Sequence, residues 1–373
     1  MLSRLQPPIY IANDMFRPKI KIPWKKSSLC PCGSGKTLNR CCAGIDGTPR
    51  SKPFNLNKTE RKTGLNRSGC YLAGQDNCGA KLSLEHALSH NIIDQLGDLA
   101  IRGFPGVDGE TDVVVPKGSA GYKVLCNLHN ADLSPLDAQA GRVFAELGAA
   151  IFPIRHPANK ERENWVYIDG PRLESFSLKA LAAYVAAKVI TRSGKKVELN
   201  VDWTKLKRAI LAGDLDDGGG MYICASPAPN EVDGCQFIPI SNLDGQLVGI
   251  HCVMRGFSFR TIFDPTHAGA GTVPPNATFR PSVHQLYGIG GSAFIYLAWR
   301  RRANLRQYSS GRVITTPTGS SSSVPFDLLA GSPKEEIRTK LLQQPTEMPQ
   351  SFAPIDVGHF EADPPPILGR SKR

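Results

Sequence analysis

The uneven distribution of cysteine constrains this chain more than any other feature. Of ten cysteines in 373 residues, seven lie within the first 126 positions, namely Cys30, Cys32, Cys41, Cys42, Cys70, Cys78 and Cys126. No apolar stretch of signal-peptide type follows the first basic residues, so we expect a reducing, cytoplasmic location. Under reducing conditions clustered cysteines bind metal more often than they form disulfides. The pattern predicts metal-stabilised units near the front of the chain.

The first set of cysteines has a compact spacing: Cys30 and Cys32 are followed, after eight residues, by Cys41 and Cys42. Four thiolates suit a tetrahedral Zn²⁺ ion, and four protein ligands leave no open position, so the site is expected to be structural. Glycines in the intervening segment GSGKTLNR allow the backbone to wrap tightly. Such a small knuckle has almost no core, so we expect zinc to provide its folding energy.

A second set combines Cys70 and Cys78, which flank a turn-rich stretch, with Cys126 and His129 in the C-x-x-H spacing of a zinc knuckle. Three thiolates and one imidazole would form a second closed zinc site. That site would tie a hairpin to the helix that follows it.

The helix after the second set is marked by residue types near its expected start. Ser134 is predicted as the N-cap, Pro135 as the first helical residue, and Asp137 in a capping-box position. Apolar residues then recur at helical spacing as far as about residue 148.

Residues 81–88, KLSLEHAL, alternate in the manner of a strand and contain Glu85 and His86, two groups suited to acid–base or metal chemistry. Neighbouring strand residues point to opposite faces, so the two can share a site only if the strand ends or bulges there. Otherwise His86 is expected to be a core histidine. His90 is expected to be a surface histidine rather than a spare ligand.

The first set, in the context LCPCGSGKTLNRCCAG, resembles the SEC-C motif, a short zinc module that occurs at the tail of the SecA translocation motor and on many unrelated bacterial proteins. The resemblance covers about sixteen residues and includes every metal position. It implies a zinc-stabilised binding module and does not imply a translocase.

Residues 68–150 resemble the HNH endonuclease fold, a ββα-metal unit, through their hairpin, loop, knuckle and helix and the Glu85–His86 pair. The resemblance implies that His86 is the general base that activates water for attack on a phosphodiester. It implies that Glu85 and Asn130 hold a divalent cation, usually Mg²⁺. In that family the second cysteine and histidine set would be a separate structural zinc site.

The rest of the chain predicts an α+β fold. Residues 151–170 are expected to form a polar connector, and helices are expected at 171–190 and 202–213. Apolar segments from residue 221 to 299 then predict an antiparallel meander with tight turns at Asp244-Gly245 and Arg255-Gly256.

Residues 308–373 are expected to be mostly disordered, with one short helix at 332–342. The complete predicted organisation has six parts: basic linkers at 1–28 and 46–67, a zinc module at 29–45, an HNH-like domain at 68–150, an α+β domain of unknown role at 151–307, and the tail.

Charge points to the class of partner. The net charge is +12, and residues 1–67 contain fourteen Lys or Arg against three acids, so nearly all of the excess is at the front of the chain. Such a segment attracts polyanions, most commonly nucleic acid, although a solvated basic arm would have the same composition. No apolar run approaches the length of a membrane-spanning helix.

The leading hypothesis is therefore an HNH-like, metal-dependent nuclease of nucleic acid. One alternative is a non-enzymatic zinc protein that binds nucleic acid or protein partners. Another is that the SEC-C-like module docks protein partners or ribosomes while the HNH-like unit is inactive.

Overall fold

The fold is available as a computed structural model, which describes residues 22–44, 47–57, 61–74, 76–96, 99–101, 113–115, 121–155, 162–192, 195–224, 234–269, 271–288, 290–299 and 308–312. The chain divides into two units, residues 1–331 and 332–373, and all of the described residues belong to the first. The helix expected at 332–342 lies outside them.

A short 3-10 helix, Leu38–Arg40, lies in the first cysteine set. The later elements follow in this order: β1 Leu82–His86, α1 His90–Leu96, β2 Leu99–Ile101, β3 Val113–Val115, β4 Gly121–Cys126, α2 Asn127–Ile154, β5 Arg162–Asp169, α3 Gly170–Ala186, β6 Thr191–Arg192, β7 Lys195–Lys196, α4 Trp203–Ala212, β8 Gly220–Ile223, β9 Cys235–Ser241, β10 Leu247–Met254, β11 Phe257–Ile262, β12 Thr278–Phe279, β13 Val283–Gly288, β14 Gly291–Ala298 and β15 Tyr308–Arg312. This mixture of helices and sheets confirms the α+β class.

The front of the chain forms a ββα unit. Strands β1 and β4 pair antiparallel, with Leu82 opposite Cys126 and His86 opposite Gly121, and the register shifts between Ser83 and Glu85. Helix α2 follows β4 without a connecting residue. The register shift lies before Glu85, and Glu85 and His86 themselves pair in regular register with Tyr122 and Gly121. Of the two conditions for a shared site, only the end of the strand at His86 is met.

The start of α2 was predicted wrongly. The helix begins at Asn127, because the Cys126 thiol caps it by accepting the backbone N–H of His129. Pro135 lies inside the helix and cannot donate to the carbonyl of Ala131. The Ser134 hydroxyl donates to that carbonyl at 2.8 Å instead. The Ser134 hydroxyl thus supplies the donor that Pro135 lacks, and the helix continues through both residues to Ile154.

Two larger sheets make up the rest of the described fold. The antiparallel sheet has the strand order β12-β8-β11-β10-β9, and the mixed sheet has the order β15-β13-β14-β5. The predicted meander is correct for β9, β10 and β11, whose turn at Arg255-Gly256 has positive φ at both residues. It is wrong for β14, which pairs parallel with β5 in the other sheet. Within the described part of the expected connector at 151–170, residues 151–154 end α2 and residues 162–169 form β5.

The predicted start of the tail is also wrong. Residues 308–312 form β15, which pairs parallel with Val283–Tyr287 of β13, so ordered structure passes the expected boundary at residue 308. The remainder of the predicted tail, residues 313–373, lies outside the described part of the chain.

One continuous core joins the ββα unit to the later sheets. Its buried members include Leu125 from β4, Phe144 from α2, Phe176 from α3 and Phe259 from β11. The predicted boundary at residue 150 falls inside α2. Helix α4 agrees with its prediction, since Asp202 caps its start and Gly213 ends it with a left-handed conformation. Of the helices in the described ranges, none is long and apolar enough to cross a bilayer.

Aromatic contacts attach the N-terminal segment to the mixed sheet. The Trp24 ring meets Trp165, Tyr167 and Tyr296 edge-on, with centroid separations of 5.9, 6.2 and 5.7 Å. The Tyr296 hydroxyl also donates to the carbonyl of Pro49 at 2.9 Å. The segment that carries the first cysteine set is therefore packed on the fold.

We expect Trp24→Ala to lower the free energy of unfolding by about 2 kcal/mol, since it removes a half-buried ring and three edge-on contacts. Denaturant titration of the zinc-loaded protein measures this change. Leu29→Ala is the control, because Leu29 is 69% exposed. Equal stability of the two variants would contradict the described packing.

Candidate metal centres and the adjoining histidine site

The first cysteine set has the dimensions of a metal site. The ligand atoms of Cys30, Cys32, Cys41 and Cys42 all lie within 4.8 Å of one another. The Cys41 sulfur is 3.5 Å from that of Cys32 and 3.6 Å from that of Cys42. A tetrahedral ion with Zn–S bonds of ~2.3 Å places its sulfurs about 3.8 Å apart. The four thiols therefore fit a zinc ion.

Nearby polar groups favour the thiolate form of Cys41. Burial by itself would raise the pKa of Cys41, but the Ser34 hydroxyl and the neighbouring thiols lower it to about 6. The Lys52 ammonium lies 3.5 Å from the same sulfur. Burial raises the pKa of Cys30 and Cys42. A four-thiolate zinc centre carries a net negative charge, which the Lys52 ammonium would partly offset.

The second set is more deeply enclosed. Cys70, Cys78, Cys126 and His129 are all buried, and their ligand atoms also lie within 4.8 Å of one another. The His129 Nδ1 atom is 3.3, 3.9 and 3.2 Å from the sulfurs of Cys70, Cys78 and Cys126 in turn. Tetrahedral zinc with bonds of ~2.3 Å to sulfur and ~2.0 Å to nitrogen places the nitrogen about 3.5 Å from each sulfur. These four side chains also fit the ion.

Backbone groups support the second set. The N–H groups of Gly79 and His129 donate to the Cys126 sulfur at 3.1 and 3.4 Å. Burial raises the pKa of a thiol, yet these bonds bring the pKa of Cys126 below its ordinary value. Burial, with a smaller effect from the Arg61 charge, lowers the pKa of His129 and keeps its ring neutral, as ligation requires. Both predicted ligand sets are thus brought together as closed, four-ligand sites.

The predicted catalytic carboxylate, Glu85, is in a different environment from the one expected. Its side chain is 2% exposed, and its Oε1 atom lies 2.5 Å from the ammonium of Lys179 on α3. The contact is a buried ion pair. The Lys179 ammonium also contacts Asp137 on α2, at 2.6 and 2.8 Å from its two carboxylate oxygens.

Sequence reasoning missed the part played by Lys179 and Asp137. Helix α3 is buried around most of its circumference, and this obscured the role of Lys179. The single cation within the run FSLKALAAYV was the sequence signal that could have indicated a buried charge. Asp137 was interpreted as a helix-capping residue. Because α2 begins ten residues before it, Asp137 is free to face α3 instead.

His86 is half-buried at the end of β1, and it lies beside His90 at the start of α1. Their rings meet edge-on with centroids 5.3 Å apart. The His90 Nδ1 atom is 2.9 Å from the Asp94 carboxylate, and its side chain is 54% exposed, in line with the expected surface position. Burial, and to a smaller extent the charge of the neighbouring His90, lowers the pKa of His86. Its Nε2 atom is buried and makes no hydrogen bond to the part of the chain that is described.

The Asn130 side chain is hydrogen-bonded to β1. Its side-chain amide donates to the Ser83 hydroxyl at 3.1 Å and to the Leu84 carbonyl at 3.2 Å. Within the described ranges, Glu85 and His86 do not join a third group of three or more close Cys, His, Asp or Glu ligands. The cation site implied by the HNH resemblance is therefore not assembled in the way that the two cysteine sets are.

This chain matches no protein-family model, no curated protein and no solved structure.

We expect zinc-loaded protein to contain two zinc ions per chain, and Cys41→Ser and Cys126→Ser each to contain one, because each removes a ligand from a different set. Elemental analysis of desalted full-length protein measures the content. Cys224→Ser is the matched control, since Cys224 is a buried thiol outside both sets. Unchanged zinc in both ligand variants would disprove the assignment.

Proposed function

We propose that the protein acts on nucleic acid and that its ββα unit hydrolyses phosphodiester bonds, with His86 as the general base. The observation that carries this proposal is the position of His86. It stands half-buried at the last residue of β1, in a unit whose second strand and helix are joined at a four-ligand set. The same order of elements underlies the resemblance to HNH endonucleases.

The environment of His86 supports a role as a base. Burial lowers its pKa, so its ring is neutral near pH 7 and can accept a proton. In the proposed reaction a water molecule gives a proton to the imidazole while its oxygen attacks phosphorus. The bond from phosphorus to the leaving oxygen then breaks, that oxygen takes up a proton from solvent water, and the imidazolium returns its proton to solvent.

A divalent cation such as Mg²⁺ supplies charge stabilisation in HNH enzymes, according to the resemblance, and Glu85 and Asn130 would be its ligands. The two side chains do not fit that role as they are placed. The Glu85 carboxylate contacts the Lys179 ammonium, and the Asn130 amide holds β1. The proposed step therefore uses only the side chains of this chain and water.

The front of the chain supports nucleic acid as the substrate class. Between residues 22 and 57 the described positions include five exposed cations, Lys25, Lys26, Lys36, Arg40 and Lys52, and no carboxylate side chain. Lys36 and Arg40 lie between Cys32 and Cys41 of the first cysteine set, so an ion bound by that set would hold their backbone. A cationic surface of this kind suits a phosphate backbone.

We expect His86→Ala to lower the rate of nucleic-acid cleavage by roughly a hundredfold or more, the usual contribution of a general base. Single- and double-stranded DNA and RNA are incubated with zinc-loaded full-length protein, and the products are separated by gel. His267→Ala is the control, because His267 is a half-exposed histidine that pairs with Asp264 far from β1 in sequence. Equal cleavage by the two variants would exclude His86 as the base.

A second candidate, a non-enzymatic nucleic-acid-binding protein, is favoured by the burial of Glu85. If wild-type protein binds nucleic acid but leaves it intact under all conditions, this candidate replaces the first. The SEC-C-like module could equally dock a protein or ribosomal partner, and loss of a copurifying partner from Cys41→Ser would indicate that use.

We expect the double variant Lys36→Ser/Arg40→Ser to bind DNA more weakly. Its slope of log K against log salt should be shallower by about 0.9 for each phosphate that the two side chains neutralise in the wild type. Fluorescence anisotropy over a range of salt concentrations measures both quantities. Lys188→Ser/Lys196→Ser removes the same charge from exposed sites elsewhere. An equal effect of the two double variants would show that only net charge matters.

A further inference from the structure

The Lys179 ammonium lies between two carboxylates at the point where the ββα unit meets α3. It is 2.5 Å from Glu85 on β1 and 2.6 Å from Asp137 on α2, while α3 supplies the lysine itself. Glu85 and Asp137 are separated by 52 positions in sequence and belong to the strand and the helix of the ββα unit. Lys179 comes from the region predicted as a separate domain.

Burial makes each of these three charges depend on the other two. The side chains of Lys179 and Glu85 are 1% and 2% exposed, and that of Asp137 is 19% exposed. A buried charge that loses its partner is strongly unfavourable, so each member depends on the others. Although burial lowers the pKa of a lysine, Asp137 and Glu85 together raise the pKa of Lys179 above its ordinary value. The group is therefore a charged ammonium at neutral pH.

Glu85 and Asp137 are arranged as the carboxylate ligands of a metal ion would be, with the Lys179 ammonium in the position of the ion. Two carboxylates that face one another within contact of a single cation are the usual donors to Mg²⁺ or Mn²⁺. Here the three carboxylate oxygens nearest the cation are all within 2.8 Å of an amine nitrogen. A metal ion and the ammonium cannot occupy this position together.

We propose that Lys179 is a positioning residue that takes the place of a divalent cation in the ββα unit, holding Asp137 and Glu85, the residue that directly precedes His86, with its ammonium. Its bearing on catalysis rests on the proposed function, whereas its effect on cation binding does not. The proposal explains why Glu85, which directly precedes His86, is not free to bind Mg²⁺. It also implies that chemistry at His86 does not require an added divalent ion.

Binding of Mn²⁺ to zinc-loaded full-length protein tests the proposal, with free Mn²⁺ measured by electron paramagnetic resonance. Mn²⁺ uptake by each protein is compared with uptake by the same protein carrying Glu85→Gln. We expect wild type and Glu85→Gln to take up equal amounts of Mn²⁺. We expect Lys179→Ala to take up about one equivalent more than Lys179→Ala/Glu85→Gln, because removal of the ammonium leaves two carboxylates for the ion. A lysine that contributed only through packing of its aliphatic chain would not create a Mn²⁺ site when removed.

Two results would overturn the proposal: an equivalent of Mn²⁺ on wild type that Glu85→Gln removes, or a folded Lys179→Ala that takes up none. Circular dichroism establishes whether the variant folds, and if it does not, the wild-type comparison alone decides. Cleavage with and without added Mg²⁺ is a separate measurement. Equal rates support the catalytic part, and a strict need for Mg²⁺ contradicts it. Absence of any cleavage would count against the proposed function and leave the Mn²⁺ result standing.

Discussion

The convergence of Cys70, Cys78, Cys126 and His129 is the constraint on which the front half of this fold depends. Cys126 ends β4 and caps α2, and His129 lies in the first turn of that helix, so the strand and the helix meet at the ligands. Cys70 and Cys78 bring in the preceding loop. Four buried ligands of this kind are stabilised when an ion joins them, because thiolates that lack one are unfavourable in an apolar interior.

The ion triad of Glu85, Lys179 and Asp137 connects that unit to the rest of the protein. Each member comes from a different element, β1, α3 and α2, and the same helices share one hydrophobic core with the antiparallel sheet. A buried ion pair of this type requires all of its partners, so it favours one arrangement of the three elements. This sharing of core and charge means that the ββα unit is not an isolated module on a tether.

Local signals in the sequence predicted elements whose causes are themselves local. The spacing of both ligand sets was sufficient to group them, and Asp202 and Gly213 marked α4 correctly because a cap acts within one turn. The start of α2 was missed for the opposite reason. Ser134 and Pro135 have the residue types of a helix start, but the thiol cap at Cys126 lies eight residues before Ser134.

The amino-acid sequence by itself determined which side chains can bind zinc, where most helices and strands form, and where the positive charge lies, because spacing, periodicity and composition are properties of neighbouring residues. The tertiary structure alone decided that β5 pairs with β14 and that Glu85 faces Lys179. These partners are separated by more than ninety residues of sequence. No local pattern specifies which long-range partner a strand edge or a buried charge will find, since that choice depends on the packing of the whole core.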